Sequence, residues 1–281
     1  AHAEGYFATA SGDQSHAEGS RTLTLAPYAH AEGANTIASG TGSHAEGFNT
    51  ISSGSYSHAG GGSTLALGAY SYAIGSGSIA QGDWSYAEGK STVAVGIYAH
   101  AEGTATSASA DSSHAEGIAT ISSGLGSHAE GQSTLASGQY SHPEGSKTTA
   151  SGDFSHAVGL FTSAIGLSQH VVGTYNISNN TTGSFIIGNG ASIGSTSNLV
   201  FTTGSQFQVT GSLNVSGSIT GSLFGTASFA TTASYVTLAQ TASYVTNAIS
   251  SSFASTASYA LNAVSSSFAT TSSFTVSSSF A

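Results

Sequence analysis

The chain of 281 residues contains no cysteine and no methionine. Without cysteine there is neither a disulfide framework nor thiol chemistry. Methionine is missing even at position 1, which leads us to expect a processed product or part of a longer chain. Charge is scarce too: 13 acidic and 3 basic residues leave a formal net charge of −10. Arg21, Lys90 and Lys147 are the only fixed cations, too few to neutralise a row of phosphates. Nucleic acid and anionic membrane surfaces are therefore not expected partners. No apolar run approaches the roughly 18 residues that a bilayer requires, and Ala1-His2-Ala3-Glu4 does not read as a secretory leader. Disorder is excluded by the opposite shortage. Disordered chains carry many charges and few aromatics, whereas this one has 12 Tyr, 13 Phe and 1 Trp.

What is abundant is glycine, 37 residues of it, set at regular intervals. From Ala1 the chain divides into thirteen blocks of 14 that end at Thr182, such as SHAEGFNTISSGSY (Ser43–Tyr56). Each block holds two similar halves, S-H-A-E-G-x-x and T-h-A-S-G-x-x, where h is often aliphatic. The fifth position is glycine throughout, and the twelfth in all blocks but those with Ala26, Ala110 and Asn180. Fourteen residues are too few for a helical repeat, and so much glycine disfavours helix. Each half therefore reads as a strand of about five residues that turns at glycine.

Side chains alternate along a strand. The third position (Ala3, Ala17, Ala31, with Pro143 and Val171 departing) faces one way, and the second and fourth face the other. The tenth is Ala, Ser or Thr, as at Ala38, Ser52 and Thr24. Two strands meeting through such small groups make a flat coil, stacked at about 4.8 Å per coil into a β-solenoid roughly 60 Å long. A buried methyl contributes about 0.8 kcal/mol, while ordering one residue costs about 1–2 kcal/mol. The outer faces must bury area as well, so we expect an obligate homotrimer.

Blocks such as ATASGDQSHAEG (Ala8–Gly19) and the variants SYAIG (Ser71–Gly75) and SHAVG (Ser155–Gly159) resemble the head repeats of trimeric autotransporter adhesins, the YadA-like heads. The SHAEG form is also similar to fibre and appendage proteins of bacteriophages. The resemblance covers residues 1–182 and implies a left-handed parallel β-roll trimer. It aligns SHAEG with the half that faces the trimer axis. His and Glu stand where the adhesins place Val and Ile.

All eleven histidines occupy the second position, with Tyr72 and Tyr86 in the two remaining places. Glu at the fourth position shares their face. The candidate ladder is His2, His16, His30, His44, His100, His114, His128 and His142 with Glu4, Glu18, Glu32, Glu46, Glu102, Glu116, Glu130 and Glu144. This face either is solvated or lies between chains as paired groups, which buried carboxylates require. If solvated, the aliphatic ninth positions (Leu23, Ile37, Ile51, Leu65, Val93, Leu135) meet the neighbours instead. His with carboxylate is also metal-ligand chemistry. Uniform repetition favours a structural ladder, and no cofactor is expected.

The same uniformity argues against catalysis, which needs one singular arrangement beside an oxyanion hole. A tailspike depolymerase needs a far wider solenoid, so an enzyme is not expected. The fourteenth position is aromatic in seven blocks: Tyr28, Tyr56, Tyr70, Trp84, Tyr98, Tyr140 and Phe154. These rings either pack at turns or form a strip that contacts host-surface glycan.

Repeat register is lost after Thr182. Residues 183–225 hold short apolar runs between glycines, such as Phe185-Ile186-Ile187-Gly188, and read as a β neck. Residues 226–281 carry no glycine, proline or charge and align at a 15-residue period. Their Ser, Thr, Val, Tyr and Phe favour strand, so we expect a fibrous β shaft, with a three-stranded helical stalk as the alternative. The whole reads as an all-β extracellular fibre, either a bacteriophage tail or virion appendage or a bacterial surface adhesin or filament. Its partners would be its own copies and other virion or filament subunits.

Overall fold

A computed structural model describes residues 1–213; the expected shaft at 226–281 and the end of the expected neck lie outside the described residues. The described chain is all β. Thirteen first-half strands run from His2–Tyr6 to His170–Thr174, and twelve second-half strands from Thr9–Ala10 to Ser163–Ala164. Each pairs in parallel with its counterpart one block away, as in His100↔His114 and Val93↔Ser107. The result is a parallel β-solenoid of 14-residue coils with a sheet on each broad side. The two halves are unequal, however. First-half strands span five residues apart from His128–Ala129, and second-half strands only two, so the expectation of two equal strands per coil is corrected.

The interior is as narrow as its composition demands. Third-position Ala17, Ala31 and Ala45 and tenth-position Ala38, Ser52 and Ala66 are wholly buried. Two further columns lie inside that alternation alone did not reveal: Ser15, Ser43 and Ser57 at the first position, and Thr22, Thr36 and Thr50 at the eighth. The hydroxyls of Ser15, Ser57 and Thr50 close corners. The Ser15 hydroxyl donates to the Gly12 carbonyl at 2.8 Å and that of Ser57 to Gly54 at 2.7 Å. The Thr50 hydroxyl donates to the Glu46 carbonyl at 3.1 Å. A buried hydroxyl without a partner is costly; these three avoid that cost, whereas the buried hydroxyls of Ser43, Thr22 and Thr36 make no hydrogen bond.

The recurrent glycines at the fifth and twelfth positions do not form the corners. The fifth-position glycine lies within the strand, at φ 114° in Gly89, and a Cβ there would collide with the Gly103 carbonyl of the next coil. At the twelfth position a Cβ on Gly54 would meet the Gly68 carbonyl in the same way. The corners fall at the seventh and fourteenth positions, where Arg21, Asn35, Tyr56 and Trp84 adopt left-handed φ between 53° and 57°. Such a conformation costs an ordinary residue on the order of 1–2 kcal/mol. Coil-to-coil hydrogen bonds run through these corners and hold them, with Arg21 N–H to the Tyr6 carbonyl at 2.7 Å and Tyr56 N–H to the Thr41 carbonyl at 2.8 Å.

Pro143 breaks the first sheet. It has no N–H to offer the preceding coil, the strand below shrinks to His128–Ala129, and a separate sheet begins at His142–Ser146. The parallel ladder does not stop at Thr182. Phe185–Asn189 pairs in parallel with His170–Thr174, His170 opposite Phe185, one residue beyond the 14-residue step. Asn198–Thr202 and Phe207–Val209 then add antiparallel and end the sheet. Here larger groups fill the core. Val171 and Ile186 replace alanine, and Gln169 replaces serine. The Gln169 amide accepts from Ile165 N–H at 2.8 Å and donates to the Ser184 hydroxyl at 2.8 Å.

Gly89→Ala should lower stability by at least about 1–3 kcal/mol from backbone strain alone. Gly62→Ala, which meets nothing within 4 Å, should stay within about 0.5 kcal/mol of the parent. Denaturant unfolding of the two variants checks the contrast.

Candidate functional site

In-register coils turn each repeated residue into a column. On the first sheet the imidazoles stack from His2 to His58, pass through Tyr72 and Tyr86, and resume from His100 to His170. Ring centroids stand 5.0 Å apart at His2–His16 and 4.5 Å at His114–His128, where the planes are parallel within 1°. Phe185 stacks on His170 at 5.3 Å. Glu at the fourth position runs alongside, interrupted at Gly60 and Ile74 and ending at Val158.

Pairing takes two forms. Within a coil, His16 approaches Glu18 at 3.6 Å and His30 approaches Glu32 at 3.9 Å. Across coils, His114 meets Glu102 at 3.7 Å, His128 meets Glu116 at 3.1 Å, and His142 meets Glu130 at 3.8 Å. Glu102 also lies 4.0 Å from His100 and so bridges two coils. Strand alternation puts His and Glu on one face but does not reveal the cross-coil pairing. It therefore missed His58 and His156, whose own coils lack Glu, and which reach Glu46 at 3.3 Å and Glu144 at 3.4 Å. Tyr86 joins by donating its hydroxyl to Glu88 at 3.2 Å. His2 and Glu4 are exposed on the first coil, and the His44 Nε2 has no hydrogen-bond partner.

Stacked groups of one kind perturb one another. Burial and the flanking imidazoles of His128 and His100 hold His114 down at about 4. Among the carboxyls the shifts alternate. Glu102 is pushed up to about 7, first by a hydrogen bond shared with Glu116 and then by burial. Glu130 rises to about 7 through burial and hydrogen bonds with Glu144 and Glu116. Glu116 between them goes down: burial alone would raise it, but hydrogen bonds from Glu102, Glu130 and His128 outweigh that. Across Glu102, Glu116 and Glu130 the alternating shifts keep adjacent carboxyls from ionising over the same pH range.

The four aspartates stand apart from this ladder, all at the thirteenth position. Asp83 accepts from Ala69 N–H at 2.8 Å, Asp111 from Ile97 N–H at 2.9 Å and Asp153 from Gln139 N–H at 2.9 Å. Asp83, Asp111 and Asp153 thus clip successive turns together. Their shared position in the block was the available signal.

The fourteenth-position aromatics form a ladder on one edge. Tyr56, Tyr70, Trp84 and Tyr98 stack at 5.2–5.3 Å, and Tyr140 stacks on Phe154 at 5.4 Å. Tyr28 stands alone, with Gly42 in the next coil. Within the ladder each ring is covered by its neighbours, so the row presents ring edges to solvent. Sugar stacking needs an open ring face, and that is left at the ends of the ladder and at Tyr28.

A family model, the YadA head domain repeat, matches the chain twice, at residues 3–23 and 73–99. These two stretches match YadA head repeats. The matched residues include both halves of the coil, and the parallel 14-residue solenoid is the architecture expected of them. A YadA head repeat is a structural, adhesin-type fold and not an enzyme family. No curated protein matches the chain.

A carboxyl with a raised pKa makes the folded state lose stability as pH climbs from about 4.5 through about 7. The depressed imidazole of His114 makes it lose stability as pH falls from 6.5 towards about 4. Glu102→Gln combined with Glu130→Gln should therefore gain stability relative to the parent as pH rises through the first window, and keep the acid limb. Thermal unfolding against pH in chelated buffer measures this.

Proposed function

We propose that the chain is a homotrimeric fibre or appendage protein, a bacteriophage tail or virion fibre that serves as a spacer and host-surface contact. The observation that carries this reading is the thinness of the coil. Its interior holds only Ala, Ser, Thr and Gly over most of its length, while Leu25, Val95, Ile97, Ile118, Ile121 and Leu125 stay 39–54% exposed. Exposed apolar groups spread along a repeating rod with so thin a core call for neighbours, and closed cyclic symmetry is the usual way to supply them.

In this arrangement the His/Glu sheet faces the shared axis. The resemblance aligns SHAEG with the axis-facing half of the adhesin repeat. The column also accepts Ile74, Val158 and Val172 in place of glutamate, as expected of an interface that takes either paired carboxylates or apolar groups. The SHAEG form supports the phage assignment. The match to the YadA head repeat favours a second reading, a bacterial surface adhesin or extracellular filament. Both are extracellular, and among the described residues no helix is long and apolar enough to cross a membrane. Any contact with host glycan falls to Tyr28 and the ladder ends.

Because the chain lacks cysteine, Val158→Cys and Leu135→Cys place single thiols on opposite sheets. A short bismaleimide should join chains through position 158 and not through 135. The reverse result would put the second sheet on the axis, and no linkage at either would overturn the trimer. Gold-labelled antibody on purified virions and on cell envelopes separates phage fibre from bacterial adhesin.

A further inference from the structure

Nine glutamates stand in one column, and the chain's cations are not among them. Arg21 and Lys147 occupy corner positions and Lys90 ends the strand Tyr86–Lys90, while Lys147 lies over the Phe161 ring at 4.7 Å. Among the described residues the glutamates find ion-pair partners only in histidines. The Nε2 atoms of His114, His142 and His156 are shielded from solvent and make no hydrogen bond. Orphaned imidazole nitrogens facing a column of carboxylates lack a shared electrophile.

The spacing suits one. Zinc bonds imidazole nitrogen at about 2.0–2.1 Å and carboxylate oxygen at about 2.0–2.2 Å, so tetrahedral donors lie about 3.3–3.4 Å apart. Glu116 to His128 is 3.1 Å and Glu144 to His156 is 3.4 Å. In each set the second imidazole comes from the stacked neighbour, and the three donors lie within 4.8 Å of one another. The stacked ring must tilt to complete the set. The column tolerates such tilts, 52° at His44–His58 and 89° at His156–His170.

We infer that the upper ladder binds two divalent cations of the zinc class, one held by His114, Glu116 and His128 and the other by His142, Glu144 and His156. Two imidazoles with one carboxylate select such a metal over calcium or magnesium. The intervening set of His128, Glu130 and His142 shares both outer ligands, so it stays empty when the flanking sets fill. Two sets in the lower ladder are Glu18, His30, Glu32 and Glu32, His44, Glu46. They offer one nitrogen each and share Glu32, a poorer site for the same ion. The bound cations staple consecutive coils and offset the carboxylate charge. Each site is complete within one chain, so the proposal holds whichever sheet faces the axis.

The test uses the full chain, stripped by chelator and dialysed to equilibrium against Zn²⁺ at neutral pH, with a chromophoric chelator as competitor. Two saturable equivalents per chain are expected, with an unfolding midpoint that rises with free zinc. His128→Phe with His142→Phe should lose both equivalents while keeping the fold, because Phe185 already continues this ring stack. His2→Phe with His16→Phe should keep both. Should the first double variant misfold, Glu116→Gln with Glu144→Gln should weaken uptake by about tenfold or more, since even the partners of metal ligands cost about 10–100-fold. Uptake that never saturates, or that the His128/His142 variant leaves unchanged, overturns the proposal. The count is per chain, so a monomeric protein would contradict the trimer without altering this result.

Discussion

The closeness of one coil to the next governs this molecule. At the fifth position, and at the twelfth wherever it is glycine, the backbone of each coil lies so near the carbonyls of its neighbour that a Cβ would collide with them. That contact imposes the constant 14-residue step and the in-register ladder. It also keeps the coil flat, so the interior admits one small side chain from each column. Stability then cannot come from a large apolar core. It rests on coil-to-coil hydrogen bonds, on the hydroxyls at the corners, and on whatever covers the outer faces. Where the step lengthens to 15 residues, at His170 to Phe185, the core widens to Val171 and Ile186 and the antiparallel strands follow.

Strict register has a chemical consequence. A residue repeated in such a solenoid meets its own kind above and below. Histidine stacks on histidine, glutamate lies beside glutamate, and Tyr56, Tyr70, Trp84 and Tyr98 stack as one ladder. Columns of like groups shift one another's protonation, which is why His114 goes down and Glu102 goes up. The arrangement suits a surface that repeats along a rod. It does not suit catalysis, which depends on one unlike group brought beside another in a closed site.

Much of this was legible in the residues. The glycine spacing and the alanine columns implied a parallel solenoid, and strand alternation placed His and Glu on one face. The rest required knowing what lies across the coil boundary. His58 shows no acid in its own block, yet Glu46 stands one coil below. Thr22 and Ser15 look like solvated turn residues, but the chain folds back over them and their columns become core. Equal sequence halves do not make equal strands: the second half keeps only its ninth and tenth residues in strand, as at Leu23–Thr24, although pattern alone assigns about five. Single insertions also hide a continuing ladder, as after Thr182.

The central claim is that a coil this thin folds only in company. Sedimentation equilibrium of the full chain across a wide dilution series tests it most directly. The account predicts one folded species at three times the 27.6 kDa chain mass, with β-sheet dichroism lost whenever dilution separates the subunits. A single 27.6 kDa chain that keeps its β-sheet signal at every concentration would contradict it.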